Sequence, residues 1–529
     1  MHPTPLLIMA LLGGSAPTDA ATVTVEGRDS AAIAAAIERS QAGDTVDLPA
    51  GTYAITGPVA PKSGTRLIGA GRDQTILRFA GEKPGPLVSL AGCADVTVCN
   101  LTLDGAENPL ATAGIAAYDA QRLQILRVGV RNLVPGEGFG PHGIHFTGDN
   151  PGREHGVTDS LIANCDLENI GVGAAFGCGI RLSWGSCRNE VGGCRIARTG
   201  RGGIFGDNGS TDLVIRGNTV GGSGGEMLGI EVWGGCDRSV IEDNRIDHWL
   251  SIGGCDWCAA RRNTISATDG TFGFCGIEAI GSYLVVTDNL VDDGQVIGLS
   301  VSGAQPKQYV YYGNDTFRRC TQWGAQLQGE TGAIAYQYLY RCRFVGTTAG
   351  RGKVWYPGDD GHGFRINGNT RDLVCEECVF ADNARDGVQV TVGDVDLWSF
   401  LRCTIRGNQG PAVAAPDAVN AVEWVDCTVE GNGTDALPAA KPFPMAPPVA
   451  AFEAPDKVRV GEPAGFRSTS RPGEGKVVQA LWDLGDGPPL VGDEVTHTYG
   501  VPGEYRVTPI VWDSAGRGAR AERVVVVRP

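Results

Sequence analysis

GIHFT (143–147), GIRLS (179–183), GIFGD (203–207) and GIEVW (229–233) repeat one pattern, a glycine followed by apolar or small residues at every second position. Successive side chains of a strand point to opposite faces, so each segment reads as a short strand with one apolar and one variable face. The pattern continues through SIGGC (251–255), GIEAI (276–280), GLSVS (298–302), GAQLQ (324–328), GFRIN (363–367) and GVQVT (387–391), at intervals that are mostly 22–26 residues. A repeat of that length marks a stack of structural units. Each unit holds a second short strand ending in Asn or Cys, as in IRGNTV, IEDNRI, ARRNTI and VTDNLV, then YRCRF, EECVF, LRCTI and VDCTV. Asn218, Asn244, Asn263 and Asn289 therefore share one repeat position with Cys165, Cys194, Cys342, Cys378, Cys403 and Cys427.

One such unit cannot bury its own apolar face, whereas stacked coils share a continuous core. In-register coils lie about 4.8 Å apart, so identical residues form ladders: Asn can satisfy its amide along the axis and Cys fills a small apolar space. The expected fold is all-β, a right-handed parallel β-helix in which most ladder cysteines are packed thiols. Stacked neighbours are close enough for disulfides as well. A helical solenoid is excluded by the period-two alternation.

The ends agree with this. DSAAIAAAIERSQAGDTVDLPAGTYAI predicts a short amphipathic helix from about Ser30 to Glu38 that caps the open first coil, followed by a strand. The chain has 79 Gly and only 7% aromatic residues, as turn-rich β-proteins do, and its net charge of −16 argues against nucleic acid as a partner. Residues 1–21 contain an apolar run from Pro5 to Leu12 followed by small residues, which reads as a signal peptide and implies secretion. No later stretch is long and apolar enough for a membrane helix. ALPAAKPFPMAPPV (436–449) is a Pro-rich spacer, expected to be exposed and easily cut, between a β-helix at 22–435 and a separate domain at 450–529.

AAIERSQAGDTVDLPAGTY, taken with the coils, resembles the opening of pectate-lyase-like β-helix proteins, and the resemblance covers roughly residues 22–435. It implies a fold shared by lyases, hydrolases, epimerases and binding proteins. The C-terminal segment, with WDLGDG (482–487), HTYGVPGEYRV (497–507) and VVW before Asp513, resembles a PKD domain, an Ig-like β-sandwich. That resemblance implies a spacer or weak binder. Trp482, Tyr499 and Tyr505 have structural explanations there.

Candidate chemistry lies on the outward face of the coils. The position after each Gly-apolar pair gives His145, Arg181, Phe205, Glu231, Gly253, Glu278, Ser300, Gln326, Arg365 and Gln389. The next outward position gives Ser183, Asp207, Trp233, Cys255 and Ile280 in the same region. Glu231 and Glu278, two coils and about 10 Å apart at the backbone, form an expected acid and base pair at the ~6.5–9.5 Å spacing of inverting glycosidases, with Gly253 leaving room between them. Trp233 would stack on a sugar ring, and Asp207 and Arg181 complete the catalytic candidates. The insertion KVWYPGDDGHGFRING (353–368) supplies expected substrate-binding residues Trp355, Tyr356, His362 and Arg365, with Asp359 and Asp360 as candidate Ca²⁺ ligands. His145 and His142 sit in GFGPHGIHF (138–146), which resembles the His-containing strand of alginate epimerases but has Gly140 where that motif has an acidic residue.

The expected function is cleavage of a polysaccharide by a secreted, monomeric enzyme that needs no cofactor, with Ca²⁺ as an option. Hydrolysis by paired carboxylates leads. β-Elimination from a uronate is second, with Arg181 or Arg365 in the ribbon and no lysine there. A glycan-binding adhesin is the non-enzymatic alternative.

Overall fold

The computed structural model describes residues 20–529 apart from 224–227, 268–272, 304–306, 352–353, 355, 357, 392–394, 416–421, 442–445, 456 and 474, and it leaves the side chains of 330–333 and 395–397 undescribed. Residues 1–19, and with them most of the expected signal peptide, lie outside the described residues, as does Trp355. No described helix is long and apolar enough to cross a membrane.

Parallel strands coil from Thr22–Thr24 to Thr428–Glu430 and form three ladders. The first, called here the groove face, stacks His142–Thr147, Cys178–Leu182, Gly202–Asp207, Leu228–Trp233, Trp249–Gly253 and Gly273–Ile280, and continues to Val413–Ala414. The second, the flank, stacks strands such as Val240–Glu242, Ala259–Arg261, Val285–Thr287 and Lys307–Gly313. The third is a sheet of 15 strands that closes the coil. Trp323–Tyr340 and His362–Glu376 run through both the groove face and the flank, because no break separates the two in these coils.

Apolar side chains from all three ladders make one core. The N-terminal helix spans Ser30–Arg39, begins with Asp29 accepting from the Ala32 amide at 2.9 Å, and buries Ile33, Ala36 and Ile37 against the first coil. It covers an edge that would otherwise expose unpaired backbone groups.

The expected ladder is present and longer than the sequence suggested. Asn218, Asn244 and Asn263 each donate Nδ2 to the Oδ1 of the next Asn at 3.0 Å, ending on Asn289. Asn289 then donates to Asp315 Oδ1 at 2.9 Å. Asp315 was not assigned to the column by sequence, because it presents a carboxylate where an amide was sought. It is fully buried, and burial pushes its pKa well up. A second ladder joins Asn383, Asn408 and Asn432. All 16 cysteines are free thiols, 14 of them buried.

From Phe452 onward the chain forms an antiparallel sandwich around Trp482, Phe466, Tyr499 and Leu484. It is not the detached module expected. The outward column of the flank is apolar in its middle coils, and Leu481, Ile510 and Trp512 of the sandwich pack against Val240, Ala259, Val285, Tyr311, Tyr338 and Val374. Arg261, almost fully buried, pairs with Asp483 at 2.7 Å and donates to Gly487 O across this junction. The spacer is also not free in its first half: Leu437 packs on the last coil, and Pro438 O accepts from Trp424 Nε1 at 3.2 Å. Apolar surface on both partners is the reason the two units close on each other.

Candidate active site

In-register stacking turns a sequence position into a column. His145 pairs with Arg181, Arg181 with Phe205, Phe205 with Glu231, and Asp207 with Trp233, so these expected residues do share one face. The register changes after Glu231. Ser251, not Gly253, stands between Glu231 and Glu278, and Gly253 stands between Trp233 and Ile280. The coil at Trp249–Gly253 lacks the glycine of its neighbours, and a register shift at Leu228/Ile230 absorbs the difference. Leu250 and Ile252 are its inward residues, and Cys255 lies in the core rather than on the groove.

Two consequences follow for the glutamate pair. The Trp233 indole, half exposed, lies over Gly253, where a Cβ would come within 2.6 Å of its ring. That glycine therefore makes room for tryptophan, not for a sugar or a water between carboxylates. Ser251 Oγ donates to Glu278 Oε2 at 2.6 Å, and burial raises the Glu278 pKa despite that bond. Glu231 is engaged differently: Arg201 approaches both its oxygens at 3.1–3.3 Å.

The densest constellation lies toward the other side of Glu231. Arg181 holds Asp207 Oδ2 with Nη2 at 2.6 Å and Nε at 3.2 Å, and both residues are nearly buried. Burial raises the Asp207 pKa, with Arg181 opposing the shift. Phe205 lies between the two guanidinium groups, 5.4 Å from Arg181 and 4.9 Å from Arg201. His145 packs on His142 at 4.5 Å between ring centroids, and its Nε2 lies 3.1 Å from Ser183 Oγ. Burial, with Arg181 adding to it, lowers the His145 pKa to about 3, and burial lowers that of His142 well below its ordinary value. Both imidazoles are thus neutral at ordinary pH. Asp207 Oδ1 and His142 Nε2 are buried with no hydrogen-bond partner among the described residues.

Arg201, Phe139 and Phe176 were not singled out in the sequence. Phe139 and Phe176 form an exposed aromatic pair, 5.0 Å between centroids, and Phe176 lies 5.9 Å from the Arg201 guanidinium. All three lie outside the Gly-apolar motif, in the connections before the strands, where no period locates them. An aromatic next to a glycine-rich loop, as in EGFG and AAFG, was the available signal.

The insertion residues form a second cluster on the same face. His362 Nδ1 lies 3.1 Å from Asp386 Oδ2 and its Nε2 3.4 Å from Asp359 Oδ1. Burial alone would lower His362, but the two carboxylates hold it above its ordinary pKa. Asp359, bonded chiefly by His362 and also by Gln389 and Arg365, is lowered to about 2. Asp360 accepts from Gly350 N at 2.6 Å and pairs with Arg385. The two acids expected to bind Ca²⁺ together therefore turn to different partners, most of them cations. Arg365 covers Trp323 at 4.3 Å, and Tyr356 stacks on the same indole at 5.7 Å.

Comparison with known proteins agrees with this architecture. The model of the right-handed β-helix region matches residues 87–248 and 248–437, two thirds of the chain, and the chain belongs to this family. A PKD domain matches residues 445–527, and a family described as rhamnogalacturonase A/epimerase, pectate lyase-like, matches residues 21–90. A microbial collagenase from Vibrio alginolyticus is 43% identical over 81 residues, 15% of this chain and 10% of that protein, so the chain spans about a tenth of its curated relative. Among solved structures, the A-module of a mannuronan C-5 epimerase from Azotobacter vinelandii is 15% identical with a TM-score of 0.41, covering 76% of this chain and 99% of that one. An alginate lyase from Paenibacillus sp. is 15% identical with a TM-score of 0.37, covering 66% and 99%. A surface adhesin of Streptococcus pneumoniae is 12% identical with a TM-score of 0.39, covering 75% and 91%.

Proposed function

We propose that the chain is a polysaccharide-acting enzyme whose reaction centre is the cluster of His145, Arg181, Asp207, Arg201 and Glu231, working on a uronate-containing glycan by removal of the proton α to the carboxylate. The observation that carries this is a neutral, partly exposed imidazole one coil from an arginine whose partner carboxylate, Asp207, has a raised pKa. The pectate-lyase-like match at residues 21–90 supports the substrate class.

In this scheme a uronate carboxylate takes the place of Asp207 on Arg181, so that the negative charge developing on deprotonation is stabilised by the guanidinium. His145 Nε2 accepts the proton. The substrate carboxylate beside it raises the basicity that burial has suppressed. Elimination then breaks the bond from the β-carbon to the glycosidic oxygen, the protonated His145 returns its proton to that leaving oxygen, and a double bond is left in the sugar. Return of a proton to the opposite face would epimerise it instead. Glu231, held by Arg201, fixes the second guanidinium, and the Phe139–Phe176 pair makes one wall. No metal is assigned to Asp359 and Asp360, because their carboxylates already face Arg365, Gln389 and Arg385.

A second reading is hydrolysis on Glu278. Its raised pKa suits a general acid, and Glu231 two coils away would be the base. Glu278 stands five coils, about 24 Å, from His145, so the two readings use different parts of the groove and exclude each other on one bond.

The experiment is product analysis on polyuronates and neutral glycans in deuterated water. Unsaturated sugar ends, or deuterium at the carbon bearing the carboxylate, are expected with polyuronates. His145→Gln should lower turnover by about 10²–10⁴-fold, while Glu278→Gln leaves it within a few-fold. New reducing ends with neither signature, abolished by Glu278→Gln, would replace this reading with the hydrolase.

A further inference from the structure

A hollow of about 580 Å³ opens at the far end of the groove, with His362, Arg385, Asp386, Gln389 and Gln409 among its walls. Gln389 follows Glu278 in the same outward column with Ser300, Gln326 and Arg365 between them. The hollow thus stands four coils, about 19 Å, beyond Glu278 and about 38 Å beyond Arg181. It shares no residue with the proposed reaction centre.

Its walls combine fixed and free groups. His362 is 3% exposed and held between Asp386 and Asp359. Gln389 Nε2 is used on Asp359 at 3.0 Å, and this anchors the amide. Gln389 Oε1, on the same amide, is buried with no hydrogen-bond partner among the described residues. A buried acceptor in that state calls for a donor that the protein has not supplied. Arg385 is the opposite case. Its side chain is 44% exposed and its contact with Asp360 is long, 3.5 Å, so the guanidinium is available to a stronger acceptor. Beside the hollow, Tyr356 lies flat on Trp323 with more than half of its surface exposed.

An orphaned acceptor, an available planar cation and an aromatic shelf match the three recognisable parts of an acidic sugar: a hydroxyl, a carboxylate and an apolar ring face. We propose that this hollow is a second binding subsite for a carboxylated sugar. Arg385 takes the carboxylate, Gln389 Oε1 accepts from a hydroxyl, Gln409 lines the same hollow and Tyr356 carries the ring. This rests on the reading that the groove serves a uronate polymer, and it deepens it: the chain grips the polymer at one end and acts on it at the other, so that only a long chain engages both.

The test is calorimetric titration of the full chain with oligogalacturonates and alginate oligomers, short and long, and with their carboxyl-reduced, neutral counterparts. Arg385→Ala should weaken binding of the acidic oligomers about tenfold or more and leave the neutral ones unchanged. Gln409→Ala, which removes no charge, should weaken both kinds by a smaller factor. Turnover of oligomers too short to span the groove should be the same in Arg385→Ala and the parent, while KM for the long polymer rises. Unaltered binding in both variants, equal affinity for neutral and acidic oligomers, or no uronate binding by the parent would overturn the subsite. Loss of binding in Arg385→Ala from a parent that turns over no uronan would keep the subsite and reject the proposed reaction.

Discussion

The groove face and the flank belong to the same coils, yet they end differently. Each buries an Arg–Asp pair: Arg181 with Asp207 on the groove, Arg261 with Asp483 under the sandwich. On the flank the partner carboxylate comes from another domain, at the junction where Trp512, Leu481 and Ile510 pack on the coils. On the groove both members come from adjacent coils of the β-helix and are nearly buried, and buried polar atoms of Asp207 and His142 have no partner among the described residues, as Arg261 Nε has none on the flank. A buried ion pair left with unsatisfied neighbours is costly as architecture. The same arrangement is what a site needs if a substrate is to complete it.

The contrast is sharpest in the pairs themselves. Asp483→Ala strands a buried Arg261 and should cost about 3–5 kcal/mol in denaturant unfolding, without changing chemistry in the groove. Replacing Arg261 and Asp483 together by Met and Leu should recover most of that loss. If Asp483→Ala proved neutral, the flank pair would be no more than a surface contact, and the comparison would fail.

Asn244→Leu probes the ladder that both faces share. It removes the donor to Asn263 and the acceptor for Asn218, and should destabilise the chain by about 1–3 kcal/mol. A ladder that tolerated leucine would mean the coils are held by apolar packing alone.

Asp315 adds a pH dependence to the same column. Its folded pKa is raised above the unfolded value, so its contribution is fully present below the unfolded pKa and is lost as pH rises through the folded one. Asp315→Asn should therefore raise stability at neutral pH by about 1 kcal/mol and remove that part of the slope. Thermal unfolding across pH, for parent and variant, would show it. A parallel pair of curves would mean that the carboxyl is not what titrates.

The smallest effect is expected on exposed turns. Asp95, Arg122, Asp159, Arg188, Asp212 and Arg238 alternate in charge at one turn of successive coils, and Asp212 holds Arg238 at 2.7–2.8 Å. Asp212→Ala should cost about 0–1 kcal/mol, less at high salt. Beyond Arg238 the same turn carries Trp257, Tyr283, Tyr309 and Tyr336 in a stack, the last three packed toward the sandwich. The change from charge to aromatic along one column marks where water gives way to the second domain.

That change is visible in the sequence. SVIED, VVTD and YVYYG carry apolar residues at consecutive positions rather than alternating ones, the mark of a strand buried on both faces. What the sequence determined by itself was local and periodic: the coil, the inward apolar residues, the Asn and Cys column, the capping helix and the sandwich motifs. Stacking in register converts each of these into a fixed position, so a repeat read in one dimension places its residues in three. What only the tertiary structure decided depended on departures from the period. Ser251 took the place expected for Gly253 because one coil lacks its glycine, Trp233 covered that glycine in the neighbouring column, and Arg201 reached Glu231 from a connection that no motif indexes. The sandwich docked where two apolar surfaces, far apart in sequence, happened to match. A period predicts what repeats, whereas the site and the domain junction are built from what does not.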